Sequence, residues 1–351
     1  MKKILFTGLI IGAMGITLTA LGNPANMGFC IACFLRDIAG GLGLHGAGAV
    51  QYLRPEIIGL GLGSMFIARA KGEFRVRGGA NPLGRFVLGF AMMIGALAFL
   101  GCPLRTVLRL GAGDLNALVG LGGLATGIFC GVLALKKGYN PGRAVAQPAS
   151  SGYVFPGILL ALLAALLLRP GFVIFSESGP GAQAAPILAA LVAGLVVGIL
   201  AQRTRLCMTG GVRDMLLVRD PHLLWGFGGI LVAALVGNVI MGYFQLGFAN
   251  QPIAHTAHLW NFLGLTVVGY AGVLAGGCPL RQLILAGTGD TDAVITVFGM
   301  VAGAAVAHNF GLAASGQGIA LAGQIAVLIC LAVLSWMGFG QGLTKSKKEA
   351  A

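Results

Sequence analysis

The pentapeptide GCPLR occurs twice in this sequence, at residues 101–105 and again at residues 277–281. Each copy follows a long apolar run and precedes a Gly-Asp pair, which ends at Asp114 in the first case and at Asp290 in the second. Proline suits the first turn of a helix, where its missing N–H would be unpaired anyway. The glycine before the cysteine can end the preceding helix. The motif therefore predicts that one helix stops and a short second helix begins beside the cysteine.

The composition around these motifs is that of a membrane protein. Hydrophobic residues make up 57% of the chain, charged residues make up 9%, and the mean hydropathy is +0.91. Soluble domains carry about 25% charged residues, so this chain has too little polar surface for a water-facing globule. The 60 glycines suit close packing between transmembrane helices, and the sequence lacks ten-residue strands of alternating polarity. We therefore expect an all-α integral membrane protein.

Ten apolar segments approach the length of about 20 residues that a transmembrane helix needs. The first resembles a signal peptide, but its equivalent in the second half lies in mid-chain, so we expect it to be an uncleaved span. The predicted spans are at about 4–21, 55–70, 83–101, 115–135, 154–169, 185–202, 222–243, 258–276, 291–310 and 318–338.

The two halves of the chain are predicted to be a repeat. CIACFLRDI at 30–38 matches CMTGGVRDM at 207–215, at nearly the same offset as the two copies of GCPLR. Five spans in each half would place the second copy inverted across the membrane, as in many secondary transporters. We expect a single transporter domain over residues 1–351, with repeat one at about 1–170, repeat two at about 181–340 and a cytoplasmic linker-like loop at 136–153.

The net charge of +13 is distributed as the positive-inside rule requires. Lysines and arginines form short patches between apolar runs, and most of them fall on one side when the N-terminus is placed inside. This predicts a multi-pass protein of the bacterial inner membrane with both termini cytoplasmic, and it excludes nucleic acid as a partner. The sequence carries neither a P-loop nor a dinucleotide-binding pattern. We expect a transporter rather than an enzyme, without a cofactor and without a metal.

The candidate site lies at four short half-helices, one at each GCPLR and one at each of the two related segments. A helix N-terminus offers free N–H groups and partial positive charge, which suit an anion. A cysteine placed there has its thiolate favoured, or its S–H available to a polarisable partner. The predicted substrate pathway is Cys30, Cys102, Cys207 and Cys278, with Cys33 as a further candidate; anion-supporting residues are Arg36, Arg105, Arg213 and Arg281; structural caps are Asp114 and Asp290.

For several polar residues a structural role is the alternative to a role in binding. The pairs Arg36–Asp37 and Arg213–Asp214 are as consistent with neutral ion pairs that stabilise a re-entrant turn as with substrate ligands. Two histidines, His255 and His258, have the i, i+3 spacing of metal ligands, but no acidic or cysteine partner lies nearby in the sequence.

These residues resemble the YeeE/YedE family of sulfur-transport membrane proteins, over nearly the whole chain. The segment NMGFCIACFLRDI is most similar to the YedE branch, which is associated with selenium metabolism. The resemblance implies an hourglass-like pore in which cysteines pass thiosulfate, or a selenium analogue, along by S–H to sulfur contacts. It also implies a TusA-like cytoplasmic sulfur carrier as partner. The second repeat has Gly210 where the first has Cys33, so the role of Cys33 stays open.

The cysteines of these motifs are also compatible with two other functions. Cys30-x-x-Cys33 is a redox-type motif, which would suit a membrane thiol-disulfide oxidoreductase, although the second repeat lacks the partner cysteine. A soft-metal transporter would use thiolates as ligands, but the arginines beside the motif cysteines disfavour a cation pathway.

Overall fold

The computed structural model of the protein describes residues 2–349, with side chains described up to residue 340. Fifteen helices and two very short strands follow one another in these residues. They are α1 (Lys2–Ala20), α2 (Ile31–Gly41), α3 (Pro55–Ala70), β1 (Arg77–Gly78), α4 (Pro82–Phe99), α5 (Pro103–Gly111), α6 (Asn116–Lys136), β2 (Val145–Ala146), α7 (Ala149–Gly152), α8 (Val154–Leu168), α9 (Ile187–Thr204), α10 (Met208–Val218), α11 (Leu224–Ile240), α12 (His258–Leu274), α13 (Pro279–Gly287), α14 (Thr291–Asn309) and α15 (Leu321–Glu349).

Seven helical segments of the described residues are long and apolar enough to cross a membrane. Three of these run from a long helix through a break into a short one, as in Pro82–Gly111, which covers α4 and α5. The prediction of an all-α integral membrane protein is confirmed. Helices occupy all ten predicted spans, but α3, α8 and α11 have only 15 to 17 residues. For these three, the crossing of the membrane stays a prediction.

The four predicted half-helices are α2, α5, α10 and α13, each of 9 to 11 residues. Each begins immediately after a cysteine, which occupies the N-cap position. The break before α5 is made by Leu100, in the left-handed conformation (φ 62°), and the break before α13 contains Gly276 (φ 82°). The short helices thus start where the Gly-Cys-Pro pattern predicts.

Helices of the first half pack on helices of the second half in matching pairs. The largest contacts join α3 to α9 and α1 to α11, and α6 to α12 and α4 to α14. In the predicted repeats, α1 is equivalent to α9 and α3 to α11, so the α3–α9 and α1–α11 contacts are equivalent. The α6–α12 and α4–α14 contacts are related in the same way. The half-helices follow the same scheme, since α5 lies on α11 while α13 lies on α3.

Glycines make these close crossings possible. A Cβ atom added to Gly194 of α9 would lie 2.3 Å from the carbonyl oxygen of Glu56 on α3, and one added to Gly127 of α6 would lie 2.0 Å from that of Thr266 on α12. Only residues without a side chain allow two helix backbones to approach so closely. The resulting bundle buries the four half-helix N-termini.

Candidate functional site

The first thiol cluster consists of Cys30, Cys33 and Cys102. The sulfur atoms of Cys30 and Cys102 lie 3.9 Å apart, and the backbone N–H of Cys33 donates to the sulfur of Cys30 at 3.3 Å. All three side chains are buried, with at most 1% exposed. Cys33 therefore lies beside the two predicted pathway cysteines of its repeat, although it has no counterpart thiol in the other repeat.

Arg105 lies against this cluster and is completely buried. Its guanidinium donates to the sulfur of Cys33 at 3.5 Å, to the carbonyl oxygens of Asn26 (2.8 Å) and Ile253 (3.1 Å), and to that of Leu100. These acceptors satisfy the guanidinium within the protein. In this conformation Arg105 positions the backbone around the cluster and has little capacity left for a ligand.

The second thiol pair is Cys207 and Cys278. The N–H of Gly210 donates to the sulfur of Cys207 at 3.2 Å, in the same way as the N–H of Cys33 donates to Cys30. The N–H of Met208 donates to the sulfur of Cys278 at 3.4 Å, so the two half-helices meet at this pair. Both thiols are buried. The predicted pathway cysteines therefore form two separate groups, one for each repeat.

A buried ion network surrounds Asp37 on α2. One carboxylate oxygen binds Arg36 at 2.6 Å, and the other binds Arg54 at 2.7 Å, with all three side chains at most 3% exposed. Arg54 also donates to the carbonyl oxygens of Gln183 and Pro180, near the start of the second repeat. Arg36 is thus paired with a carboxylate, and Arg54 was not predicted as a site residue. Its position directly before Pro55, at the start of a predicted span, was the available sequence signal.

The equivalent pair of the second repeat lies nearer the surface. Arg213 binds Asp214 at 2.8 Å, with side chains 30% and 27% exposed. Both Arg-Asp pairs therefore form between neighbours in the sequence, and each arginine has its charge compensated locally.

Asp290 is the N-cap residue of α14. Its side chain accepts from the N–H of Ala293 at 3.1 Å and binds Arg77 at 3.1 Å. Asp290 therefore caps the N-terminus of α14 in the structure.

Asp114 has a different arrangement from its repeat partner. The N-cap position of α6 is held by Leu115 without a side-chain cap, while Asp114 precedes it and accepts from the N–H of Asn116 at 2.9 Å. Its other oxygen binds the buried Arg109 at 2.6 Å, whose guanidinium also lies 4.3 Å from the centre of the Phe99 ring. Asp114 is therefore mainly the partner of a buried arginine, and the prediction of a simple cap was incomplete.

The two histidines have no metal-site geometry. His255 is buried and hydrogen-bonds through Nε2 to the carbonyl oxygen of Ala98 at 2.8 Å, and burial lowers its pKa. His258 packs edge-on against Phe248. Among the described residues there is no group of three or more His, Cys, Asp or Glu side chains that could hold a metal ion. The remaining cysteines, Cys130 and Cys330, lie within the long helices α6 and α15.

Comparisons with known proteins find similarity to sulfur-transport proteins over part of the chain. A family described as sulphur transport matches residues 203–338, which contain the second thiol pair. The thiosulfate transporter TsuA of Escherichia coli K12 is 33% identical over 113 residues, which is 32% of this chain and 31% of that protein. The thiosulfate transporter TsuA of Spirochaeta thermophila is 31% identical over 103 residues, 29% of this chain and 31% of that protein. The matched regions thus span less than a third of these relatives. Over residues 203–338 the chain is therefore similar to the sulphur-transport family.

Proposed function

We propose that this protein is an inner-membrane permease for a small sulfur-containing anion, thiosulfate or its selenium analogue, and that cysteines at half-helix N-termini pass the anion along. The observation that carries the proposal is the N-cap position of four repeat-related thiols. Cys30, Cys102, Cys207 and Cys278 each begin a half-helix, and they meet in two buried groups. Each group places S–H donors where helix N–H groups favour negative charge.

In each thiol group, one sulfur accepts a backbone N–H of its own half-helix. The sulfur of Cys30 accepts the N–H of Cys33, and the sulfur of Cys207 accepts the N–H of Gly210. Each sulfur accepts through a lone pair and keeps its S–H as a donor. The S–H of Cys30 donates to the sulfur of Cys102 at 3.9 Å in this conformation, so it must exchange this partner for a ligand. The terminal sulfur of thiosulfate is a large, polarisable and weak acceptor, which suits a soft thiol donor. Transport by exchange of such contacts breaks no covalent bond and forms no disulfide.

Passage through the first cluster requires it to open. Cys30 and Cys102 are in sulfur–sulfur contact, and neither is exposed by more than 1%. An anion that reaches one of these thiols must separate the pair, so the described conformation is closed at this point. The proposal therefore includes a second conformation in which these two half-helices move apart.

Two further parts of the proposal come from the sequence. The NMGFCIACFLRDI segment favours the selenium-associated branch, and the family resemblance favours a TusA-like cytoplasmic sulfur carrier. With both termini in the cytoplasm, consumption of the anion by such a carrier would draw transport inward.

A thiol-disulfide oxidoreductase is the second candidate, because Cys30 and Cys33 form a CxxC motif. Its chemistry requires a partner thiol to attack one of these sulfurs. Both side chains have no exposed surface, so a protein thiol has no route to them in this conformation. A soft-metal transporter is third, because the buried arginine beside the first cluster opposes a cation.

Uptake into proteoliposomes tests the proposal. We expect the wild-type protein to accumulate labelled thiosulfate, with selenosulfate as competitor and sulfate as a poor one. Cys102→Ala and Cys278→Ala should each lower the rate at least tenfold. Neither cysteine makes a side-chain cap bond to its own half-helix, so the substitution removes a thiol without removing a cap.

Two control variants separate the thiol from the fold. Cys130→Ala, in the middle of α6, should transport at the wild-type rate. Cys102→Ser keeps a hydroxyl donor of similar size but offers a harder atom to sulfur, so it should stay impaired. Wild-type protein that moves neither thiosulfate nor selenosulfate would end the proposal, and an isolable Cys30–Cys33 disulfide needed for activity would favour the oxidoreductase.

A further inference from the structure

A polar cavity of about 320 Å³ lies at one end of the second repeat, and arginines dominate its lining. Its walls come from the loop after α3, the end of α9 and the half-helix α13 with the turn that follows it. We call this cavity the arginine vestibule. Its charged residues are Glu73, Arg75, Arg77, Arg205, Arg281 and Asp290.

The loop after α3 is fixed to the end of α13 by backbone hydrogen bonds. The N–H of Arg75 donates to the carbonyl oxygen of Thr288 at 3.2 Å, and the N–H of Arg77 donates to that of Gly289 at 3.3 Å. Strand β1 then pairs with β2 of the linker-like loop. These bonds hold two arginines of the loop against the half-helix that carries the second GCPLR motif. Backbone structure therefore fixes this wall of the vestibule.

Both acidic side chains of the vestibule already have partners. Asp290 binds Arg77 at 3.1 Å. Glu73 accepts from Gln202 at 3.0 Å and lies 3.7 Å from Arg203, which is outside the cavity lining. The carboxylates thus compensate arginines other than Arg75, Arg205 and Arg281.

Three arginines consequently keep uncompensated charge. Within the part of the chain that the structure describes, no carboxylate lies within ion-pair distance of Arg75, Arg205 or Arg281. Among the residues whose side chains are described, Arg281 donates only to the amide oxygen of Gln202, at 3.1 Å. Three like charges around one small cavity repel one another unless an anion lies among them, and guanidinium groups bind oxyanions by forked, charge-assisted hydrogen bonds.

The position of the vestibule connects it to the thiols. Arg281 lies in the first turn of α13, three residues after Cys278. The equivalent Arg105 of the first repeat is fully buried and satisfied by backbone carbonyls and by Cys33. The equivalent arginine is therefore enclosed by protein in the first repeat but faces a polar cavity in the second.

We propose that the arginine vestibule binds the oxygen end of a thio-oxyanion, through Arg75, Arg205 and Arg281, while its terminal sulfur is directed to the second thiol pair. The inference rests on the proposed function for the identity of the ligand. It assigns a binding role to Arg75 and Arg205, whose charge otherwise serves membrane topology alone. Other oxyanions, such as sulfate or phosphate, share the oxygen chemistry but lack the terminal sulfur.

The test is calorimetric binding of sodium thiosulfate to the full-length protein in detergent or nanodiscs. Arg75→Gln combined with Arg205→Gln should weaken binding at least tenfold, because two charge-assisted interactions are lost. Both side chains are exposed to the cavity, so their removal leaves the helix packing intact. Arg143→Gln, an exposed arginine of the linker-like loop outside the cavity, is the matched control and should bind as wild type does. Sulfate and phosphate should bind more weakly than thiosulfate.

Proteoliposome uptake by the same variants separates the two proposals. Unchanged thiosulfate binding by the Arg75→Gln/Arg205→Gln variant, in protein that still transports, would overturn the vestibule and leave the permease intact. Binding that depends on the two arginines in protein that fails to transport would keep the vestibule and overturn the permease. Wild-type protein that neither binds nor moves thiosulfate overturns both. Equal affinity for phosphate and thiosulfate would show a general oxyanion site and refute the role of the terminal sulfur.

Discussion

The substitution Asp37→Asn should destabilise the protein far more than the same change at its repeat equivalent, Asp214. Asp37 is fully buried and its carboxylate compensates two arginines, Arg36 at 2.6 Å and Arg54 at 2.7 Å. Removing one partner from a buried ion pair costs about 3–5 kcal/mol, because an uncompensated charge remains inside. Arg54 keeps two carbonyl acceptors, but no other acceptor contacts the Arg36 side chain among the described residues.

Asp214 provides the matched control, since it also follows an arginine on a half-helix of the same repeat motif. Its ion pair with Arg213 has side chains about a third exposed. Exposed pairs contribute about 0–1 kcal/mol, so Asp214→Asn should be nearly neutral. The free energy of unfolding, measured by denaturant titration of the detergent-solubilised protein, should therefore differ by about 2 kcal/mol or more between the two variants.

A double substitution checks the cause. Removing Arg36 as well, by Arg36→Gln, takes away the arginine whose side chain is left without its carboxylate and has no carbonyl acceptor, so the double variant should be at least as stable as Asp37→Asn alone. Equal losses at positions 37 and 214, or a loss below about 1 kcal/mol at position 37, would show that burial does not decide the strength of these pairs.

Two further substitutions test the packing and the vestibule. Gly127→Ala would place a methyl group 2.0 Å from the carbonyl oxygen of Thr266, and we expect a loss of about 1–3 kcal/mol in unfolding free energy; Gly122→Ala, whose added carbon lies 3.7 Å from its nearest neighbour, should be neutral, and similar losses in the two variants would contradict the close-crossing argument. Asp290→Asn keeps a good N-cap residue but frees Arg77 from its carboxylate, so calorimetric thiosulfate affinity should rise about threefold or more; unchanged or weaker binding would argue against charge control in the vestibule.

The helical architecture could be predicted because its determinants are local. Gly-Cys-Pro marks a helix end followed at once by a helix start, and the structure places Cys102 and Cys278 at the N-cap positions that this pattern implies. Apolar runs likewise located every long helix. The predicted bounds of α3 and α8 agree with the structure to within one residue, while α11 (Leu224–Ile240) is shorter than its predicted span at about 222–243, because apolar residues continue beyond the helix.

The partners of the charged residues could not be predicted from the sequence. Arg36–Asp37 and Arg213–Asp214 look alike as dipeptides, yet only the first is buried and joined by a distant third residue, Arg54. Asp114 was predicted to be a helix cap from the Gly-Asp pattern that it shares with Asp290, but a buried arginine five residues earlier also binds it. Burial and tertiary neighbours decide these roles, and neither is encoded in the spacing of a motif.

The two copies of GCPLR show how one motif acquires different electrostatic roles in a repeat. Both copies put an arginine in the first turn of a half-helix, where an anion would gain from the helix N–H groups and from the guanidinium together. Arg105 is enclosed by carbonyl oxygens and a thiol, while Arg281 faces a cavity in which two further arginines lack carboxylate partners. Of the two motif arginines, Arg281 is therefore the one whose positive charge is available to an anion in this conformation. For the first copy to bind an anion in the same way, Arg105 would first have to release one of these carbonyl acceptors, such as that of Ile253.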